Sequence, residues 1–379
     1  MNVLVVSSRF PWPSYTGDRM RATIWLDALT PHARVAFVAP AGDVPASARG
    51  FRFFPAAPSF THRVRSAWRV LRERLPIQTL LAAGFRWRRA IDEATRELGP
   101  FDATIVILSR CDPWVRASLG GGMRILDSID SLRRNAEERG DAASGLMRRF
   151  WRFEERRLAR AERELASAYD RVVVVSEDET REFGGGAMAI ANSVKIAPLD
   201  ADAPRRFDFG FWGRLAYFAN ADAARWLLDE IVPALRERHP AATIVLGGAD
   251  APPSLRVAAE RAGIELVSPI DDVPSFARSV RVAIVPMRFG SGQSSKLLEA
   301  AEAGCAIVTT PQALRGLPRL AEHVAVASNT RAIADAAVSL LRNGSPREAL
   351  RRAVEEHHSR DGVLAKMAAL AGTNGSGAR

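Results

Sequence analysis

The chain holds only three lysines, Lys195, Lys296 and Lys366, among 53 basic residues. One of them stands in "RFGSGQSSKLLEAAEAG" (288–304), where two glycines and three serines run into a helical pattern. Gly290 and Gly292 would let the backbone approach a ligand with no Cβ in the way. The free N–H groups and positive dipole end of the helix that follows form a ready anion site. Lys296 falls in its first turn, where a cation opposes the dipole at a cost of a few tenths of a kcal/mol unless an anion lies between them. Glu299 lies three residues on, on the same face. Two readings of these residues stand open. In one, loop and Lys296 hold a diphosphate while Glu299 accepts from two ribose hydroxyls. In the other, a Gly/Ser turn precedes an amphipathic helix whose Lys–Glu pair is merely solvated.

The elements that must position this stretch are short, apolar and rich in β-branched residues. In the first half they are "NVLVVSS" (2–8), "ARVAFVAP" (33–40), "FDATIVILS" (101–109), "MRILDSI" (123–129) and "DRVVVVSE" (170–177). In the second they are "RFDFGFWG" (206–213), "ATIVLGGA" (242–249), "RVAIVPM" (281–287), "CAIVTT" (305–310) and "VAVAS" (324–328). Such runs read as buried parallel strands, and the amphipathic segments between them complete a doubly wound α/β pattern. "NSVKIAPLDADAPRR" (192–206), with its prolines and no periodicity, reads as a linker between two halves. The expected domains are 1–195, joined by a C-terminal helix near 357–371, and 206–345, with a disordered tail at 372–379. Ligands of such sheets bind at the carboxyl ends of strands, so a cleft between two facing halves is expected to be the site. In the first half, strand one runs into "SRFPWPSYTGDRMRA" (8–22), where Gly17 and Asp18 open a helix.

Composition narrows the classes. Hydrophobic residues at 47% with 25% charged describe an ordinary globular chain. No run approaches the roughly 20 apolar residues of a membrane span. Two cysteines are too few for a disulfide framework, and no Cys/His spacing suggests zinc. A cytoplasmic location is expected. A formal charge of +10 admits phosphorylated, nucleic-acid or anionic-lipid partners without choosing among them. Neither the Walker loop nor a G-x-G-x-x-G follows a strand.

The motifs together carry a resemblance. "FGFWGRLAYFANADAARWLLDEIVPALRERHPAATIVLGG" (209–248) and "PMRFGSGQSSKLLEAAEAGCAIVTTPQALRGL" (286–317) resemble the donor half of glycosyltransferase family 4, retaining enzymes of GT-B fold with two Rossmann-like domains. "SSRFPWPSYTGDRMR", "LPIQTLL" (75–81), "ILDSIDSLRRNAEER" (125–139) and "VVVSEDETREF" (173–183) are similar to a branch found in exopolysaccharide gene clusters. The resemblance implies a nucleotide-diphosphate sugar as donor, a glycan or lipid-linked acceptor, and retention of anomeric configuration. It assigns the diphosphate to Arg214 and Lys296 and the ribose to Glu299. Gly290, Ser291, Gly292, Gln293 and Ser294 would surround phosphates and sugar, and Gly17 and Asp18 would approach from the first half. The sequence departs from the family pattern in three places. Ser291 stands where many relatives carry a second glutamate, Asn220 and Asp222 stand near the place of a second cation, and "LDSIDS" replaces a histidine at the fifth strand. Asp127 and Asp130 are then the candidates to face the sugar, with helix capping as the alternative role.

A diphosphate leaving group needs preorganised cations or a metal. The sole Asp-x-Asp triplet is Asp200-Ala201-Asp202, in the linker, so no metal and no cofactor beyond the donor is expected. Between 62 and 90, eight arginines face one acid, Glu73, and Val64, Trp68, Leu71 and Leu75 share a helical face. Such a helix either lies peripherally on an anionic membrane, here the inner face of the plasma membrane, or packs on the first sheet. "RRFWRFEERRLARAERE" (148–164) reads as an exposed, salt-bridged helix, and no fold pattern supports nucleic acid. A GT-B epimerase acting on the nucleotide sugar is the remaining alternative.

Overall fold

The computed structural model describes residues 1–13, 17–199, 204–290, 292–344 and 347–373. The chain divides into two units, Met1–Ala191 with Val363–Arg379, and Asn192–Gly362. Each is a doubly wound α/β layer structure with an all-parallel sheet.

The first unit has seven strands, β1 (Asn2–Ser7), β2 (Arg34–Pro40), β3 (Phe51–Ala56), β4 (Ala103–Ile107), β5 (Met123–Ile129), β6 (Arg171–Val174) and β7 (Ala187–Ala189). Their order is β3-β2-β1-β4-β5-β6-β7. Consecutive side chains of β1 enter opposite cores, as the pleat requires. Val3 and Val5 pack with Trp25 and Phe37 on one face; Leu4 and Val6 pack with Trp87 and Ile91 on the other. Val363, Met367 and Ala371 complete the first of these cores.

The second unit has β8 (Phe207–Trp212), β9 (Ile244–Gly247), β10 (Glu265–Val267), β11 (Val280–Val285), β12 (Ala306–Thr309) and β13 (Ala325–Val326). Their order is β10-β9-β8-β11-β12-β13. The helix Ser295–Glu302 follows β11 and ends at Gly304, whose φ of 67° is the left-handed stop its sequence foretells.

Strands β3, β7 and β10 were not foreseen. β3 carries Arg52 and Pro55 in an edge position, and the other two span three residues each. The helix Gly145–Ala168 also corrects an expectation. Glu154 and Glu162 are buried, sharing a face with Leu158 and Leu165. Glu154 accepts from the N–H groups of Ile77 and Gln78 at 2.9 and 2.8 Å. Glu162 accepts from the Ser131 hydroxyl and the Arg133 N–H. Both glutamates thus satisfy helix starts that would otherwise bury free donors. The Asp200-Ala201-Asp202 triplet and positions 374–379 of the expected tail lie outside the described residues.

Candidate functional site

In the second unit, the ends of β8 and β9 meet the start of the helix Ser295–Glu302 around two glycines. Gly213 donates its N–H to Gly247 O at 3.1 Å. Its φ is 154° and that of Gly248 is 146°, both in the region side chains avoid. A Cβ on Gly248 would lie 1.7 Å from Gly213 O. A Cβ on Gly213 would lie 2.5 Å from Lys296 Cε, and 3.1 Å from both Lys296 Nζ and Asn220 Nδ2. The backbone is therefore bare where the lysine crosses it.

Lys296 is half-buried, with Nζ 6.0 Å from the centre of the Phe211 ring. It forms no ion pair or hydrogen bond among the described residues. Burial pulls its pKa below the ordinary lysine value, and the Glu299 carboxylate draws it part of the way back. Glu299 is not its salt-bridge partner; one of its oxygens accepts the Trp212 indole N–H at 2.7 Å. Ser294 precedes the helix without capping it, and its hydroxyl is buried with no partner among the described residues. An unpaired cation, an unsatisfied hydroxyl and free helix N–H groups all favour an anion at this end.

The neighbouring loop residues divide between open and committed. Gly290 and Gly292 have φ of 130° and 76°. A Cβ on Gly290 would meet only Met287, at 3.9 Å, so conformation and not crowding requires glycine there. Ser291 lies outside the described residues. Gln293 is tied at both ends, accepting from Asn192 N–H at 2.8 Å and donating to Gly316 O at 2.7 Å, which makes it a brace. Arg214 is exposed and paired with Asp250 at 2.8 Å, so an anion drawing on it would have to compete with Asp250. Asn220 donates to Arg214 O at 2.9 Å and keeps a buried Oδ1 with no partner among the described residues; Asp222 is occupied by Arg288. Sequence reasoning missed Trp212, Gly213, Gly248 and Asp250. The paired glycines at the ends of two adjacent strands were the available signal.

The first unit places its candidates differently. Gly17 begins the helix Gly17–Leu29, and no described residue lies within 4 Å of where a Cβ would stand. Asp18 is paired with Arg9 at 2.9 Å. Asp127 corrects the expectation of a residue facing substrate. Its side chain is fully buried, and one oxygen accepts from Arg21 Nε and Trp25 Nε1, both at 2.6 Å. The other oxygen accepts from Ile129 N–H at 3.1 Å. It fastens the first helix to β5 and holds Ile129, a β-branched residue at φ 69°, next to a register shift between β5 and β6. The helix at Leu132 is capped by Ser131, whose hydroxyl accepts from Arg134 N–H at 3.2 Å.

The helix Phe60–Arg72 turns its apolar stripe outward. Phe60 is 80% exposed, Trp68 71% and Leu71 65%. A second stripe, Leu146, Met147, Phe150 and Phe153, is exposed on the first half of Gly145–Ala168. The two segments are joined where Arg157 donates to Leu75 O at 2.8 Å. Among the described residues no helix is long and apolar enough to cross a membrane.

No curated protein matches the chain. Solved structures match its fold. Sucrose-phosphate synthase from Thermosynechococcus elongatus is 13% identical, with 98% of each chain covered and a TM-score of 0.73. Anabaena HepE in complex with UDP-glucose is 12% identical over 98% of this chain and 100% of its own, at 0.69. A UDP-forming α,α-trehalose-phosphate synthase from Burkholderia vietnamiensis is 14% identical over 98% and 99%, at 0.63. The two-unit parallel α/β architecture is thus that of these proteins. Residues 206–343, which hold the glycine-lined strand ends, Arg214, Lys296 and Glu299, match the family model described as glycosyl transferases group 1.

Proposed function

We propose that the protein is a glycosyltransferase that takes a sugar from a nucleotide-diphosphate donor and passes it, with retention, to a glycan or lipid-linked acceptor in cell-surface polysaccharide synthesis. The observation that carries this reading is Lys296, a half-buried cation with no ion pair or hydrogen bond among the described residues, set at a helix start beside bare glycine backbone. A diphosphate there would answer the lysine, the Ser294 hydroxyl and the helix N–H groups together. As the sugar–oxygen bond breaks, charge grows on the diphosphate, and donors already aimed at it stabilise the transition state more than the ground state. The free oxygen of Glu299 is available to a ribose hydroxyl while Trp212 fixes the carboxylate. The family match over 206–343 supports the same assignment. HepE is known in complex with UDP-glucose, which makes UDP the first donor nucleotide to try.

Thermal-shift comparison of UDP, GDP, dTDP and ADP is the test. The true nucleotide should stabilise the fold by about 3 kcal/mol at a hundred times its dissociation constant. Indifference to all four would defeat the reading. Transfer surviving exhaustive EDTA treatment is expected. Incubation with nucleotide sugar alone separates transfer from epimerisation, since only an epimerase converts the donor without an acceptor.

The exposed stripes of Phe60–Arg72 and Gly145–Ala168, each flanked by arginines, support peripheral contact with an anionic membrane surface. Co-sedimentation with phosphatidylglycerol vesicles at low salt, reversed by high salt and weakened by Trp68→Ser, is the expected result.

A further inference from the structure

The first unit also holds a groove of about 850 Å³ between the helices Phe60–Arg72 and Trp87–Leu98. Arg65, Arg69, Arg86, Arg88, Arg89 and Arg96 line it, against the one carboxylate of Asp92. Three of these arginines are engaged. Arg69 pairs with Glu73 at 2.9 Å and donates to Pro113 O, Arg88 has Asp92 at 3.7 Å, and Arg96 donates to Asp92 O at 3.4 Å. The side chains of Arg65, Arg86 and Arg89 have no ion pair or hydrogen bond among the described residues. Trp87 and Trp114 also line the groove, and each spends its indole N–H on a backbone carbonyl, Ala82 O at 2.7 Å and Thr79 O at 2.8 Å. Trp87 is 2% exposed, so the ring surface of the groove comes from half-buried Trp114, beneath the Arg69 guanidinium, and from Phe85. Phe85, another lining residue, bridges Pro58 just past the carboxyl end of β3, so the groove starts on the side of the sheet where parallel folds take ligands.

Uncompensated guanidinium groups crowded around one cavity repel one another and suit a multiply charged oxyanion, which each can grip with two parallel N–H bonds. The volume is that of a small-molecule site, not of a track for an extended strand. We propose that this groove binds a phosphate ester, a phosphate or diphosphate carried by the acceptor, with the aromatic walls against the organic part next to it. That the ligand is the acceptor rests on the glycosyltransferase reading; that the groove takes a phosphate ester does not.

The test is calorimetric titration of the whole protein, held at saturating UDP so that the second unit's site is filled. The probes are inorganic pyrophosphate, glucose 1-phosphate, and dodecyl phosphate held in phosphatidylcholine vesicles. All are expected to bind. The R65A/R86A/R89A variant should lose about tenfold or more in affinity for each while keeping its UDP-induced thermal shift. Tightest binding of the vesicle-held phosphate assigns the ester to a membrane lipid; tightest binding of glucose 1-phosphate assigns it to a soluble sugar. Should the triple variant misfold, Arg89→Gln alone should weaken pyrophosphate severalfold. Unchanged affinities in the variants, or an oligonucleotide that displaces pyrophosphate and binds more tightly, overturns the proposal. If UDP itself fails to bind, the donor reading falls, and the titrations still report on the groove.

Discussion

The two units differ in what holds the charge nearest their candidate residues. In the first, Asp127 ties Arg21 Nε and Trp25 together inside the core and Asp18 answers Arg9, while Arg21 Nη2 and Arg110 Nε are buried without a partner among the described residues. In the second, Lys296 stands without an ion pair and the Ser294 hydroxyl without a partner among the described residues. A buried charge that is paired holds structure together, and an unpaired one costs stability unless a ligand completes it. The same kind of fold thus shows, side by side in sequence, what architecture looks like and what a binding site looks like.

The largest expected effect tests whether the bare backbone of the second unit is obligatory. Gly248→Ala puts a Cβ against Gly213 O in a conformation alanine resists, and should cost about 4 kcal/mol or more in urea unfolding. Next, Asp127→Asn leaves Arg21 buried without its counter-charge and should cost about 3 kcal/mol. Its turnover per folded molecule should be unchanged. A lost rate at full stability would restore Asp127 to the reacting centre and erase the contrast between the units.

A smaller effect sharpens the comparison inside the first unit. Burial lifts Glu162 to a pKa of about 7 and, aided by Asp130, Glu179 to about 8. A carboxyl whose folded pKa lies above its unfolded value keeps its proton longer in the folded state. Its favourable share is full below the unfolded pKa and fades as pH rises through the folded one. The fold should therefore lose about 2 kcal/mol or more between about pH 5 and about pH 8, and E162Q/E179Q should flatten that slope. An equal slope in the variant would assign the loss elsewhere.

Much of this was legible in the sequence, for reasons that differ by residue. Fully buried strands such as "NVLVVS" and "RVAIV" cannot hide, because both faces demand apolar side chains. The edge strand β3, with Arg52 and Pro55, and the three-residue strands β7 and β10 carry too little pattern to be seen. Glu154 and Glu162 were hidden by their arginine neighbours, although Leu158 and Leu165 on the same face marked it as inward. Trp68 shows the reverse limit: an apolar stripe at helical spacing does not say whether it meets core or solvent. Lys296 was legible through composition alone, a rare residue at a helix start. Its lack of a partner, and the glycine passage that admits it, required coordinates.

The most direct measurement sets Lys296→Met beside the parent protein, reading affinity for the stabilising nucleotide diphosphate by calorimetry and apo stability by urea unfolding. Removing a half-buried cation that nothing pairs should leave the apo fold equally stable or more stable by up to about 1 kcal/mol. The same change should weaken the diphosphate by about 2 to 3 kcal/mol, the worth of a charge-assisted contact in a partly dry site. Loss of apo stability with full affinity retained would make Lys296 a structural residue and contradict the account.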